Sequence, residues 1–262
     1  MVNKVAFVTG SGRGIGKGIA TEFAKAGYDI ALHVRSSVDE AAEIAEKIQS
    51  LGSKVVIIKG DISVLPDIDE MFEAFTREFD RLDVFVNNAG ITRFKPFLET
   101  DAQLFESVVN TDFRGSFFCA QKAARIMVLK KIPGVIINIT SNHQVGCWPA
   151  ASVYGPAKAA LNKFTENIAL ELAPHRIRAV SVAPGYTNSN EIKQEPGNVP
   201  KERRKGFSNT MSRIPMGRMA EIDEVGKLCV FLAGEDAGYI TGTCITMDGG
   251  ALLPVLAENT YV

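Results

Sequence analysis

A doubly wound α/β domain on a parallel sheet of about seven strands is the fold this sequence predicts. Three observations predict it. Short apolar, β-rich runs recur along the chain, and amphipathic stretches of helical period lie between them. The runs are nearly continuously apolar, so their sheet needs cover on both faces, and alternation with helices makes it parallel. A glycine cluster follows the first run directly, as nucleotide-binding sheets of this kind require. At 262 residues the chain can bury a large core, and nothing in it reads as a linker, a repeat or a low-complexity tract. One domain over 1–262 is therefore expected.

The strand runs are 5–8 (VAFV), 30–34 (IALHV), 55–58 (VVII), 84–86 (VFV), 135–139 (VIINI), 179–183 (AVSVA) and 244–247 (CITM). The helical periods are carried by Ile15, Ile19 and Phe23, by Ile44, Ile48 and Leu51, and by Ile68, Phe72, Phe75 and Phe79. Two more follow, Leu161, Phe164, Ile168 and Leu172, then Val225, Leu228 and Leu232. The long irregular region 186–220, rich in proline and glycine, reads as a flap over a substrate.

Composition excludes several classes of function. Lys+Arg (29) and Asp+Glu (30) nearly cancel, so neither nucleic acid nor a charged membrane surface is an expected partner. The four cysteines form no CxxC and the three histidines no ligand cluster, so no metal site is expected. The cysteines read as thiols of a reducing compartment. The first apolar run spans four residues, too short for a signal-peptide core, and no stretch approaches membrane-spanning length. A cytoplasmic location follows as the expectation.

In "VAFVTGSGRGIGKG" the spacing is TGxxxGxG, with Gly10, Gly14 and Gly16, between the first strand and the first helix. Such a turn brings backbone close to a pyrophosphate and aims helix N–H groups at it, with Ser11, Arg13 and Ile15 alongside. At the end of strand 2 an NAD site would place a carboxylate for the ribose hydroxyls. Here Arg35 and Ser36 follow the strand, and Arg13 is near in sequence. Both arginines suit a 2′-phosphate, so NADP(H) is the expected preference, with NAD(H) second.

"SVYGPAKAAL" (152–161) sets Tyr154 and Lys158 four apart, which on a helix puts phenol and ammonium on one face. Pro156 between them confines the pair to the first turn, with Ser152 as the expected cap.

With "NNAG" (87–90), "VVNTDFRG" (108–115), "INITS" (137–141), "YGPAK" (154–158), "APGY" (183–186) and "MDGG" (247–250) in order, residues 4–250 resemble the short-chain dehydrogenase/reductase family, in its single-domain branch. The resemblance implies that Tyr154 exchanges a proton with the substrate oxygen and Ser141 hydrogen-bonds that oxygen. It implies that Lys158 binds the nicotinamide ribose, with Asn110 supporting a water relay to it. A phenol titrates near ~10, and bringing it to neutrality takes about 4 kcal/mol, which one ammonium ~4 Å away supplies at an effective dielectric of about 20. The resemblance also assigns Asp61, Ile62, Asn88, Ala89, Gly90, Pro184 and Gly185 to the cofactor. Ser189 stands in the place of the family's threonine, and a homotetramer is implied.

For the substrate, "TSNHQVGCWP" (140–149) resembles bacterial glucose 1-dehydrogenases. That likeness places Ser141, His143, Trp148 and Tyr154 around a sugar or polyol. "NNAGITRF" instead resembles 3-oxoacyl-[acyl-carrier-protein] reductases, a second reading. A non-catalytic NADP(H)-sensing regulator is the third, and the intact tyrosine and lysine weigh against it.

Overall fold

Seven strands form one sheet in the order β3-β2-β1-β4-β5-β6-β7, every neighbouring pair parallel. They are β1 (Val5–Val8), β2 (Asp29–Val34), β3 (Val55–Lys59), β4 (Val84–Asn87), β5 (Val135–Ile139), β6 (Arg178–Pro184) and β7 (Cys244–Met247). The computed structural model describes residues 3–36, 38–189 and 212–253. Most of the expected flap, 190–211 with its basic run 201–205, lies outside the described residues.

Alternation along each strand explains the two-sided core. In β1, Ala6 and Val8 point to one face, where α1 (Gly14–Lys25), α2 (Val38–Ser50) and α7 (Ile222–Ala233) bring Ile19, Phe23, Ile48 and Val225. Val5 and Phe7 point to the other, against α3 (Leu65–Glu78), α5 (Ser116–Lys130) and α6 (Tyr154–Leu172). Phe7 stacks on Phe75 at 5.2 Å and meets Phe85 edge-on at 5.5 Å. Among the described residues no helix is long and apolar enough to cross a membrane.

The strand order reverses direction between β1 and β4, since the chain winds outward to β3 and then returns to start β4 beside β1. Loops leaving those two strands part at that point and open a crevice at the carboxyl end of the sheet.

Three local expectations are corrected. Helix α6 starts at Tyr154 with Val153 as its N-cap and no side-chain cap, so Ser152 does not cap it. Leu51 and Phe79 each lie one residue beyond their helices. A stretch the sequence reading did not single out is helical throughout: α4 (Ala102–Val109) passes through a π-helical turn, Asn110–Gly115, into α5.

Candidate active site

The glycine loop is built by close approach of two backbones. Gly10 has φ +64°, and a Cβ there would stand 2.8 Å from Ala89 Cα. A Cβ on Gly16 would stand 2.3 Å from Gly10 O and 2.5 Å from Asn88 Nδ2. The Asn88 amide stitches the loops together, donating to Thr9 O (2.9 Å) and Gly10 O (3.1 Å), while Thr9 Oγ1 accepts from the Asn88 and Ala89 amides. Helix α1 begins at Gly14 with no side-chain cap and no acidic residue in its first turn. Its leading N–H groups are thus left for an anion.

In front of that helix end lies a cleft of about 500 Å³. The expected cofactor residues Gly10, Arg13, Gly14, Ile15, Gly16, Arg35, Ser36, Asp61, Ile62, Asn88, Ala89, Gly90 and Ser189 all line it. Ser189 faces the loop, close to where a Gly14 Cβ would lie (3.4 Å). Ser11 does not line it: that hydroxyl is fully buried, donating to Val8 O at 2.8 Å and accepting from His33 N at 2.9 Å. Pro184 and Gly185 stand at the end of β6, outside the cleft lining, where a Gly185 Cβ would meet Asp248 at 2.6 Å.

His33 is the strut that sequence reading missed. Its Nδ1 accepts from Gly10 N at 2.9 Å, and Nε2 then donates to Gly60 O at 3.0 Å, so one neutral ring ties the glycine loop to the β3 loop. Burial pushes its pKa down to about 4, against the pull of the Gly60 carbonyl and Asp61. The signal was a lone polar residue inside an apolar strand run.

At the outer end of the cleft Arg35 and Arg13 are exposed. Arg35 reaches Asp61 only at 4.0 Å, and Glu40 completes the rim. The cradle, the open helix end and these two cations fit a dinucleotide, with pyrophosphate at Gly14–Gly16 and ribose near Arg35.

The reacting groups gather beyond Gly90. Ser141 lies two residues past β5 and caps the next turn, 7 % exposed, with Oγ accepting the His143 amide at 3.2 Å. Tyr154 and Lys158 are both buried in the first turns of α6, and the ammonium sits 5.7 Å from the phenol ring centre. Lys158 Nζ donates to Ile139 O at 3.3 Å and pairs with Asp112 Oδ2 at 3.3 Å. Burial alone would depress that ammonium; Asp112 and Tyr154 outweigh it and hold its pKa above the ordinary lysine range.

Among the described residues the charged partner of Lys158 is Asp112, which the sequence reading did not single out, and no direct hydrogen bond or ion pair runs from Lys158 to Asn110. Asn110 and Asp112 both stand in the π-helical turn, and Asn110 is only half-buried. Asp112 has the buried side, fully enclosed, with Oδ1 accepting Ile91 N at 2.8 Å. The signal was a spacing of four: Val108, Asp112, Ser116 and Ala120 are each at most 1 % exposed.

Aromatic rings wall the pocket over Tyr154. His143 stacks on Trp148 at 3.9 Å and on Phe94 at 5.6 Å, and Tyr154 meets His143 and Phe94 edge-on at 5.3 and 5.9 Å. Burial lowers the His143 pKa, and its Nδ1 is enclosed without a hydrogen-bond partner among the described residues. Phe94, 52 % exposed at the rim, was not anticipated. No cluster of metal-ligating side chains occurs among the described residues.

A nucleotide cradle at the switch point of a parallel sheet, beside a tyrosine–lysine pair, defines a dinucleotide-dependent oxidoreductase. Comparison with known proteins makes this specific. Residues 10–251 match the family model described as Enoyl-(Acyl carrier protein) reductase. The chain is 31% identical over 268 residues to the hydroxynaphthalene reductase-like protein Arp2 of Metarhizium brunneum, covering 96% of each. It is 32% identical over 250 residues to 3beta-hydroxysteroid dehydrogenase 1 of Eggerthella lenta, covering 95% of this chain and 94% of that one. It superposes on acetoin dehydrogenase YohF from Salmonella typhimurium with a TM-score of 0.86 at 36% identity, covering 96% and 98% of the two chains. The chain belongs to the short-chain dehydrogenase/reductase family, and is an oxidoreductase acting on CH–OH groups with NAD(P)(H).

Proposed function

We propose that this enzyme interconverts a secondary alcohol and its ketone on a compact, ring-shaped substrate, with NADP(H) preferred. The observation that carries the substrate reading is the wall of His143, Trp148 and Phe94 set edge-on to Tyr154. Flat rings of this kind take the apolar face of a ring, whether a sugar, as the 140–149 segment suggests, or a carbocycle. The relatives' names, a hydroxysteroid dehydrogenase and an acetoin dehydrogenase, fit a secondary alcohol.

In this reading a dinucleotide held by the glycine loop and the cleft lining would supply or accept the hydride at the substrate carbon. Ser141 Oγ orients the substrate oxygen, and Tyr154 passes a proton to it in reduction or takes one in oxidation. Lys158, fixed by Ile139 O and Asp112, keeps a cation beside that phenol. Arg13 and Arg35, with Ser36 alongside, are the groups that favour a 2′-phosphate.

A panel of aldoses, polyols, cyclic ketones, acetoin and acetoacetyl thioesters, run with each cofactor, tests the proposal. Turnover of ring substrates is expected, with NADP+ for the alcohols and NADPH for the ketones, and Tyr154→Phe should lower it by about 10²–10⁴-fold while cofactor binding holds. Turnover confined to acyl thioesters would reject the ring reading and favour the acyl reductase.

We also propose a cytoplasmic homotetramer. The free cysteines suit a reducing compartment, and Leu129 on α5 and Leu170 on α6 present large apolar side chains outward. A monomeric mass by light scattering counts against it.

A further inference from the structure

Lys158 does not act on Tyr154 as an isolated cation. A second, opposite charge lies behind it, at 3.3 Å, and both partners are buried: the side chains are 6 % and 0 % exposed. The carboxylate is held from two directions. Its Oδ1 accepts the Ile91 amide at 2.8 Å, and its backbone lies in the π-helical turn joining α4 to α5. The chain also leaves room for the pair: a Cβ on Gly90 would press to 3.2 Å on both Asp112 Oδ2 and Lys158 Nζ.

We propose that Asp112 is a positioning residue that acts through Lys158, anchoring its ammonium and cancelling part of the field that ammonium exerts on the Tyr154 phenol. A bare ammonium favours the phenolate; an ammonium–carboxylate pair favours it less, because the two fields oppose one another at the phenol oxygen. The enzyme thereby keeps Lys158 charged in a fully buried place, at the cost of a weaker pull on the proton of Tyr154. The titratable groups that face the phenol are Lys158 on its own helix, Asp112 behind that lysine from the π turn, and His143 from the turn after β5. The inference rests on reading Tyr154 and Lys158 as the reacting pair.

The test is Asp112→Asn, which keeps one oxygen to accept from Ile91 N but replaces the oxygen facing the ammonium with an amide NH2, and so removes the charge. The first readout needs no substrate: ultraviolet titration of the Tyr154 phenolate, taken as the difference from Tyr154→Phe in each background. Its midpoint should fall in Asp112→Asn by on the order of one pH unit. The acid limb of kcat/KM for alcohol oxidation should move to lower pH with it. A midpoint unchanged or raised in a variant with native circular dichroism overturns the proposal, because a purely structural carboxylate predicts no downward shift. Should Asp112→Asn not fold, Asp112→Ser removes the same charge and is read the same way. A wild type that titrates as expected but turns over nothing in the panel refutes the catalytic reading and leaves the electrostatic result standing.

Discussion

Arg35 is 66 % exposed and only 4.0 Å from Asp61, so most of its five donors are unused by the protein itself. Arg35→Asp would set a second carboxylate beside Asp61 and offer ribose hydroxyls an acceptor. Charge-assisted hydrogen bonds contribute about 1.5–3 kcal/mol, so NADPH affinity should fall roughly tenfold to a hundredfold while NADH loses far less. Fluorescence titration with both nucleotides measures this, and equal affinities in the wild type would contradict the preference. At this scale Gly10, Gly16, Tyr154 and Lys158 were legible, because backbone approach and i, i+4 spacing are written in the local sequence. Asp112 was missed beside Asn110 because motif letters carry no helix phase. The phase lies in the buried series Val108, Asp112, Ser116, Ala120, which selects Asp112. Ser11 was misread for a related reason, since a loop position does not say which way its hydroxyl turns.

Helices α1 and α7 pack backbone to backbone. A Cβ on Gly18 would stand 2.4 Å from Ile222 O, and one on Gly226 would stand 2.7 Å from Gly18 O. A carbonyl oxygen in a helix's first turn cannot move aside as a side chain does. Gly18→Ala should therefore destabilise by about 1–3 kcal/mol through overpacking, despite alanine's better helix propensity. It should also weaken nucleotide binding, since α1 carries the amides at Gly14–Gly16. Thermal melts with and without NADPH check both, and a Gly18→Ala variant at least as stable as the parent would disprove the steric account. Elements packed on one clear side, such as α3 with Ile68, Phe72 and Phe75, were legible in the sequence. The α4–α5 stretch was not. A π turn breaks its period, and Leu129 leaves its outer face apolar too.

For the molecule as a whole, alternation of strands and helices foretold a parallel sheet but not its strand order. The β1–β4 adjacency that brings residues 9–16 against 87–90 is a property of the finished topology. His33 bridges that topology, linking the glycine loop on β1 to Gly60 after β3, and it makes stability depend on pH. Its pKa is near 6.5 in the unfolded chain and about 4 in the native state, with burial the main cause. The native state therefore binds fewer protons than the unfolded one between those values, and stability falls as pH falls through that window. Above pH ~6.5 the contribution is fully present, and below pH ~4 no further loss comes from this ring. The whole difference, ~2.5 pH units at about 1.4 kcal/mol each, bounds the effect near 3 kcal/mol. His143, also lowered by burial, acts in the same direction from its partly open site. Urea unfolding of wild type and His33→Gln at a series of pH values from 7 to 4 isolates the His33 share, because both proteins keep His143. The variant should start less stable, having lost the imidazole bridge, but its stability should decline with a clearly shallower slope than the wild type across this window. Parallel slopes for the two proteins would mean that His33 takes up its proton in the native state as readily as in the unfolded chain.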